Sequence, residues 1–351
     1  MPLGKKLSKT HDSQSKKHGI LLINLGTPDA PEPAKVGKYL RQFLMDPFVI
    51  PLPWLLRWIL VNIIIVPRRK YKSAENYKKI WGPTGSPLLV HSVSLFKKIK
   101  ERLAPFEVGL AMRYGRPGIK EVVTEMAPSI SSLTVLPLYP QFADSTVKTS
   151  IVSVQNALNG LGANIPVDVF PAFYDKEFYL IAMRDLLASH LPAKVDTLLF
   201  SFHGLPEKYL TKECGPGHCL ASDNCCESYR QKAPNCYRAQ CLDGAKLIMQ
   251  DERFANLKYE VAFQSRLGRD AWIKPYLEPQ VINLAKSGTK NLVVACPSFV
   301  SDCLETLEEV GLSVKKTFLQ NGGESFHLIP CLNDDPVWVD QLSKVLSNSK
   351  R

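Results

Sequence analysis

Several familiar signatures are missing from this chain, and each absence narrows the reading. Residues 1–18 hold Lys5, Lys6, Lys9, Lys16 and Lys17 against one acid, Asp12. They contain no apolar core, so they read as a disordered basic tail and not as a signal peptide. No run suits a membrane-spanning helix. The longest apolar stretch, Phe48 to Val66, is broken by Pro51, Pro53, Arg57 and Asn62, which are poor residues for a span. The turn Gly26-Thr27-Pro28-Asp29 lacks the G-x-G-x-x-G fingerprint, and no Walker A sequence occurs. Nicotinamide and ATP chemistry are therefore unsupported. No RNP or zinc-finger signature accompanies the basic excess, so nucleic acid is not the expected partner. No low-complexity tract follows the tail. A cytosolic location is expected, possessing reduced thiols.

What is present points to an α/β protein. The 351 residues, 45% of them hydrophobic, suffice for two domains with real cores. Strand-like runs fall at Gly19–Gly26, Glu107–Met112, Leu133–Leu138, Val167–Phe170, Thr197–Phe200, Tyr259–Phe263 and Asn291–Ala295. Helical spacing recurs between them, as in Pro33–Leu44, Ser94–Leu103 and Phe178–His190. Alternating strands and helices predict parallel sheets covered on both faces. The expected architecture is two similar lobes, residues 19–165 and 166–335, around a cleft. A closing helix at 336–351 packs on either lobe.

Three features carry chemistry. Ser201-Phe202-His203-Gly204-Leu205-Pro206 puts a histidine just past a strand, where open α/β sheets bind ligands. Ser301 to Glu309 follows another strand and carries Asp302, Glu305, Glu308 and Glu309. On an α-helix, Glu305, Glu308 and Glu309 are i, i+3 and i+4 and share one face. A solvated helix start is the bland alternative, since acids suit that end of the dipole. The segment 48–66 carries Trp54 and Trp58, and Arg68-Arg69-Lys70 follow. Aromatics with a basic flank fit a peripheral membrane segment, and a buried core helix fits the apolar run equally well. The net charge of +11 suits an anionic membrane surface or an anionic substrate.

Six of nine cysteines crowd residues 214–241: Cys214, Cys219, Cys225, Cys226, Cys236 and Cys241. Crowded thiols in a reducing compartment point to metal. Zinc and an iron–sulfur cluster both fit thiolate ligands, and the spread spacing on a loop suits a [2Fe–2S] centre better. The expected ligands are Cys214, Cys219, Cys226 and Cys236, with Cys225 and Cys241 as alternates. Cys296, Cys303 and Cys331 read as buried small hydrophobes.

The separated motifs Asn24-Leu25-Gly26-Thr27-Pro28, Gly85-Ser86-Pro87, Met112-Arg113-Tyr114, Tyr139-Pro140-Gln141, Ser201 to Pro206, Phe263-Gln264-Ser265-Arg266 and Ser301-Asp302 to Leu307 resemble the ferrochelatase family from about Gly19 to Leu346. The resemblance implies two Rossmann-like lobes around a porphyrin cleft and insertion of Fe²⁺ into protoporphyrin IX. It makes His203 and Glu305 the catalytic, metal-handling pair, with Asp302, Glu308 and Glu309 as an acidic metal path. Cys303 stands where some relatives carry a second histidine. The cysteine-rich insertion, 210–236, is similar to that of a smaller bacterial subgroup with internal cluster ligands. Candidate porphyrin contacts are Leu25, Arg68, Arg69, Arg113, Tyr114, Tyr139 and Trp272, with arginines for propionates and aromatics for the disc. The lip 48–66 is expected to touch both membrane and macrocycle. A monomer or a homodimer fits. Cobalt or nickel insertion, a coproporphyrin substrate, and a non-enzymatic iron–sulfur or metal carrier stand as alternatives.

Overall fold

The computed structural model describes residues 16–214, 220, 224–228, 233–266, 268 and 270–348, the backbone alone at 211–214 and 228. Most of the basic tail therefore lies outside the described residues. Eight strands are found among them: β1 (Lys17–Gly26), β2 (Glu107–Tyr114), β3 (Ile130–Pro137), β4 (Val167–Val169), β5 (Thr197–His203), β6 (Tyr259–Gln264), β7 (Asn291–Ala295) and β8 (Ser325–Leu328). They form two four-stranded sheets with the orders β2-β1-β3-β4 and β6-β5-β7-β8. Every pairing is parallel. The two sheets thus repeat one topology. Strand β8 is missing from the sequence expectation because Ser325–Leu328 is short and half polar.

The near-continuous apolar runs of β1 and β5 follow from burial on both faces. Side chains nevertheless alternate between two cores. Ile20 and Leu22 of β1, with Leu198, Phe200 and Phe202 of β5, enter a central core shared by the two sheets. Leu21 and Ile23 enter an outer core on the first sheet, and Leu199 enters its counterpart on the second. The closing helix, Pro336–Ser347, packs against both Pro87–Arg102 and Glu177–His190. Its Trp338 is fully buried and stacks with Phe173 and Phe178.

In each sheet the chain leaves the second strand position in both directions, so the switch point lies beside β1 in one sheet and β5 in the other. Ligand crevices open at the carboxyl ends of strands there. Gly26 ends β1 at φ +103°, and a Cβ would sit 1.6 Å from the Tyr114 carbonyl oxygen, so only glycine lets β1 and β2 end together.

Segment 48–66 becomes a short helix, Trp54–Ile59, and a π-helical stretch, Leu60–Ile65, that runs into the helix Val66–Ile80. Arg57 is buried and donates to the carbonyls of Ile50 (3.1 Å) and Leu52 (2.9 Å), which closes the turn before the helix. The apolar side chains point outward instead. Trp54, Leu55, Leu56 and Ile63 are 62%, 59%, 55% and 58% exposed. The segment is therefore not a core helix, and no described helix is long and apolar enough to cross a membrane.

Candidate active site

His203 is the last residue of β5 and is half-buried. Its ring Nδ1 lies 2.6 Å from the Gly204 carbonyl oxygen. A carbonyl only accepts, so Nδ1 carries a proton, and in the neutral ring the lone pair is on Nε2. The His203 N–H donates to Ser298 Oγ at 3.2 Å, and its carbonyl accepts from the Tyr237 hydroxyl at 2.8 Å. The next N–H, of Gly204, donates to the Gln264 carbonyl at 2.8 Å. A Cβ on Gly204 would stand 2.7 Å from that oxygen and 3.2 Å from Trp272. Trp272 is thus packed, buried, behind the histidine turn.

The acidic segment reaches the same crevice from the end of β7, the neighbour of β5. Glu305–Val314 is a ten-residue π-helix instead of the expected α-helix. Its hydrogen bonds close between i and i+5, so each turn holds more than four residues. Residues four apart stay on one face, while residues three apart swing away. The common face expected for three carboxylates therefore fails for Glu308. Glu308 is buried and paired with Lys79 of the first lobe at 2.8 Å. Asp302 is also buried and fully engaged. It accepts from Thr306 Oγ1 (2.9 Å), Asn333 Nδ2 (2.7 Å) and the Cys331 N–H (3.2 Å).

Glu305 and Glu309 remain half-buried on one face. The Glu305 carbonyl accepts from Gln264 Nε2 at 2.9 Å, which ties the π-helix to the end of β6. Glu309 accepts from both the N–H (2.7 Å) and the hydroxyl (2.6 Å) of Ser265. Ser265 holds a φ of +67°, a left-handed conformation that aims both donors at one carboxylate. Burial raises the Glu309 carboxyl above its usual range, the Ser265 bonds and the charge of His203 oppose this, and Glu305 adds to it. Glu309 thus interacts electrostatically with both His203 and Glu305. Ser265 and Glu309's bond to it carry no sequence signal beyond the Gln264-Ser265 motif. Burial pushes up the Cys303 thiol, and Glu305 beside it adds to the shift.

Other candidate contacts are placed as follows. Arg113 and Tyr114 both donate to Asp46, a buried carboxylate ahead of the lip, Tyr114 from 2.8 Å. Arg68 is exposed and bonds the Ile64 carbonyl at 3.0 Å, and Arg69 is exposed beside it. Leu25 is half-buried at the end of β1. Tyr139 follows β3, and burial pushes its phenol upward. A cavity of ≈ 180 Å³ separates Pro47 and the lip residues Phe48 and Pro51 from Leu205, Tyr209 and Tyr237 of the histidine side. Lys148 lines it, 5.7 Å from the Phe48 ring, a cation that sequence reading passed over.

Of the cysteine ligands expected, Cys219 and the side chain of Cys214 lie outside the described residues. Cys226 and Cys236 pack in one small core with Tyr174 and Ala233, and Cys225 Sγ is 3.9 Å from Cys226 Sγ. Cys241 belongs to the central core instead. Arg238 Nη1 donates to Cys226 Sγ at 3.1 Å. Among the described residues no group of three or more His, Cys, Asp or Glu is arranged to hold a metal.

Paired parallel sheets with a histidine and carboxylates at adjoining strand ends define a chelatase architecture. The fold is similar to the sirohydrochlorin chelatase SirB from Bacillus subtilis subspecies spizizenii in complex with cobalt, with a TM-score of 0.52 and 11% identity over 95% of this chain and 96% of that one. SirB from Bacillus subtilis with Fe³⁺ gives 0.51 at 9% identity over 95% and 96%. These likenesses concern the fold alone. The family profile described as Ferrochelatase matches residues 17–350. Ferrochelatase of Pseudomonas syringae pv. syringae is 45% identical over 330 residues, 93% of this chain and 97% of that protein. Ferrochelatase of Ectopseudomonas mendocina is 46% identical over 331 residues, 94% and 97%. The chain belongs to the ferrochelatase family, enzymes that insert iron into a porphyrin in haem biosynthesis.

Proposed function

We propose that His203, Glu305 and Glu309 together perform the metal insertion, with protoporphyrin IX as the macrocycle. The observation that carries this is the convergence of His203 on β5 with the Glu305–Glu309 face of the π-helix at one switch point. Insertion exchanges two pyrrole N–H protons for one Fe²⁺, which also sheds its water. His203, with Nδ1–H committed to Gly204, offers Nε2 as the acceptor for a pyrrole proton. Glu305 is the carboxylate that strips and passes the ferrous ion, an anionic oxygen donor able to replace water on the cation. Glu309, held by Ser265, carries away protons or steadies the incoming charge. Asp302 and Glu308 serve the frame instead, because both Asp302 oxygens are already engaged and the buried Glu308 is paired through Oε1 with Lys79.

The lip supplies the apolar wall for the disc and rests on an anionic membrane surface. Its exposed Trp54, Leu55, Leu56 and Ile63, and the following Arg68, Arg69 and Lys70, support that reading. The long apolar lip favours protoporphyrin over the more carboxylated coproporphyrin. Lys148, at the cavity rim, is a better placed propionate partner than Arg113, whose guanidinium is held by Asp46. The thiol patch fits a [2Fe–2S] centre in part. Cys226 and Cys236 would supply two thiolates beside the Arg238 charge, with Cys214 and Cys219 completing the set. Such a centre would order the insertion by ligation.

Anaerobic turnover with Fe²⁺ and porphyrin tests the core assignment. His203→Ala and Glu305→Gln should each lose more than about tenfold in kcat with the fold retained, since general-base steps are typically worth at least ~100-fold. A His203→Ala enzyme that keeps wild-type turnover overturns the reading.

A further inference from the structure

The helix Tyr237–Ile248 opens with its N-cap Cys236, Tyr237 and Arg238, which between them reach the cysteine patch and the histidine strand. Cys236, at its N-cap, packs with Cys226. Tyr237 is buried and gives its hydroxyl to the His203 carbonyl at 2.8 Å. Arg238 reaches back to Cys226 Sγ at 3.1 Å and to the Lys274 carbonyl at 3.4 Å. We infer that Tyr237 is a positioning residue for His203, and that the first turn of this helix ties the histidine to the state of the cysteine patch. The inference rests on the role proposed for His203.

The tie between Tyr237 and the imidazole runs through one peptide plane. The His203 carbonyl belongs to the peptide whose N–H, on Gly204, donates to Gln264. Tyr237 holds the oxygen end of that plane and Gln264 the nitrogen end. The following carbonyl, of Gly204, is the acceptor that fixes the imidazole through Nδ1. Glycine at 204 has wide backbone freedom, so a plane held at one end only would let the Gly204 carbonyl rotate. The imidazole would rotate with it, and its Nε2 would lose its aim. The neighbours of Tyr237 on both sides engage the thiols. Any change in the spacing of Cys226 and Cys236, by ligation or oxidation, acts on a helix end that is one residue away from the histidine's anchor.

Two readouts test this. The first is steady-state turnover of wild type, Tyr237→Phe, His203→Ala and the double variant. The second is the ¹H–¹⁵N imidazole spectrum of His203 in protein free of iron and porphyrin. Tyr237→Phe keeps the ring and removes one hydrogen bond, so kcat should fall roughly five- to tenfold, with porphyrin KM within about twofold. The same substitution should add nothing in the His203→Ala background, and it should shift the His203 resonance. Cys226→Ser should shift that resonance as well. Unchanged kcat with an unchanged resonance overturns the positioning role, as does a defect confined to KM. A resonance that moves in Tyr237→Phe but not in Cys226→Ser overturns the tie to the thiols. If His203→Ala turns over like wild type, the role given to His203 fails, and the resonance still decides whether Tyr237 holds it.

Discussion

Asp46 hangs the lip from the first sheet, and removing it should cost more than any single apolar residue of the lip. The carboxylate is buried between the helix Pro33–Leu44 and the lip. Its Oδ2 accepts from Arg113, from the Tyr114 hydroxyl at 2.8 Å and from Thr149 Oγ1 at 2.6 Å, and its Oδ1 accepts from the Phe48 N–H at 2.8 Å. The Arg113 side chain is only 18% exposed, so Asp46 is its close counter-charge. Asp46→Ala leaves a mostly buried guanidinium without its counter-charge, a loss of about 3–5 kcal/mol. Asp46→Asn keeps the shape and exchanges charge-assisted bonds for neutral ones, a loss of about 1–2 kcal/mol. Urea unfolding at fixed pH measures both. Replacing the two charges together, Asp46→Leu with Arg113→Met, should be milder than the sum of the single changes, because neither leaves an unpaired charge. The loosened lip should raise porphyrin KM more than it lowers kcat. A cost for Asp46→Ala under about 1 kcal/mol refutes the reasoning, since an exposed ion pair is worth no more than that.

Gly204→Ala forces a Cβ to within 2.7 Å of the Gln264 backbone oxygen, which cannot step aside; it should cost about 1–3 kcal/mol and depress kcat, and a wild-type melting curve with full turnover counts against it. The Glu309 carboxyl is raised in the folded protein by burial, so it adds no penalty below its unfolded pKa of about 4.3 and destabilises as pH climbs through the folded value. Glu309→Gln should therefore leave stability unchanged near about pH 3 and increase it near about pH 8; a loss at the higher pH contradicts the sign. Glu308→Gln should leave the KM for Fe²⁺ within about twofold, because that carboxylate faces Lys79. Replacing Leu55, Leu56 and Trp58 by Ser should free the protein from anionic vesicles in a flotation assay, and unchanged binding would refute the lip's membrane contact.

Strand and helix alternation made the paired parallel sheets legible, because a fully buried parallel strand is apolar throughout and stands out between amphipathic helices. His203 was legible for the same reason, as a polar residue ending such a run. The lip's exposure was not. An apolar run with two prolines is compatible with either burial or exposure until its neighbours are known. Arg57 shows why: it looks like a solubilising charge in sequence, yet it turns inward to cap Ile50 and Leu52 while the tryptophan and leucines turn out. The π-helix was also hidden. Hydrophobic spacing distinguishes periods of 3.6 and 2, and one widened helix of ten residues is too short to show its own period. That single geometric difference separates Glu308 from Glu305 and Glu309.

Arg113 and Tyr114 show how a pairing already made bears on an assignment by chemical type. A guanidinium and a phenol near a porphyrin lip invite assignment to propionate and disc, and either residue type does bind such groups. The deciding quantity is the competitor already present. Asp46 offers a buried carboxylate with four donors around it, and a partly hydrated propionate would have to displace that pairing. Lys148 has no such deep partner. It bridges Asp144 at 3.0 Å within one helical turn, with the Lys148 side chain 49% and the Asp144 side chain 27% exposed. A pair this accessible to water is worth about 1 kcal/mol or less, so on the proposed role of Lys148 a propionate would exchange for Asp144 at little cost. A sequence names which residues are able to bind a propionate, and the pairing each has already made decides which of them remains available to do so.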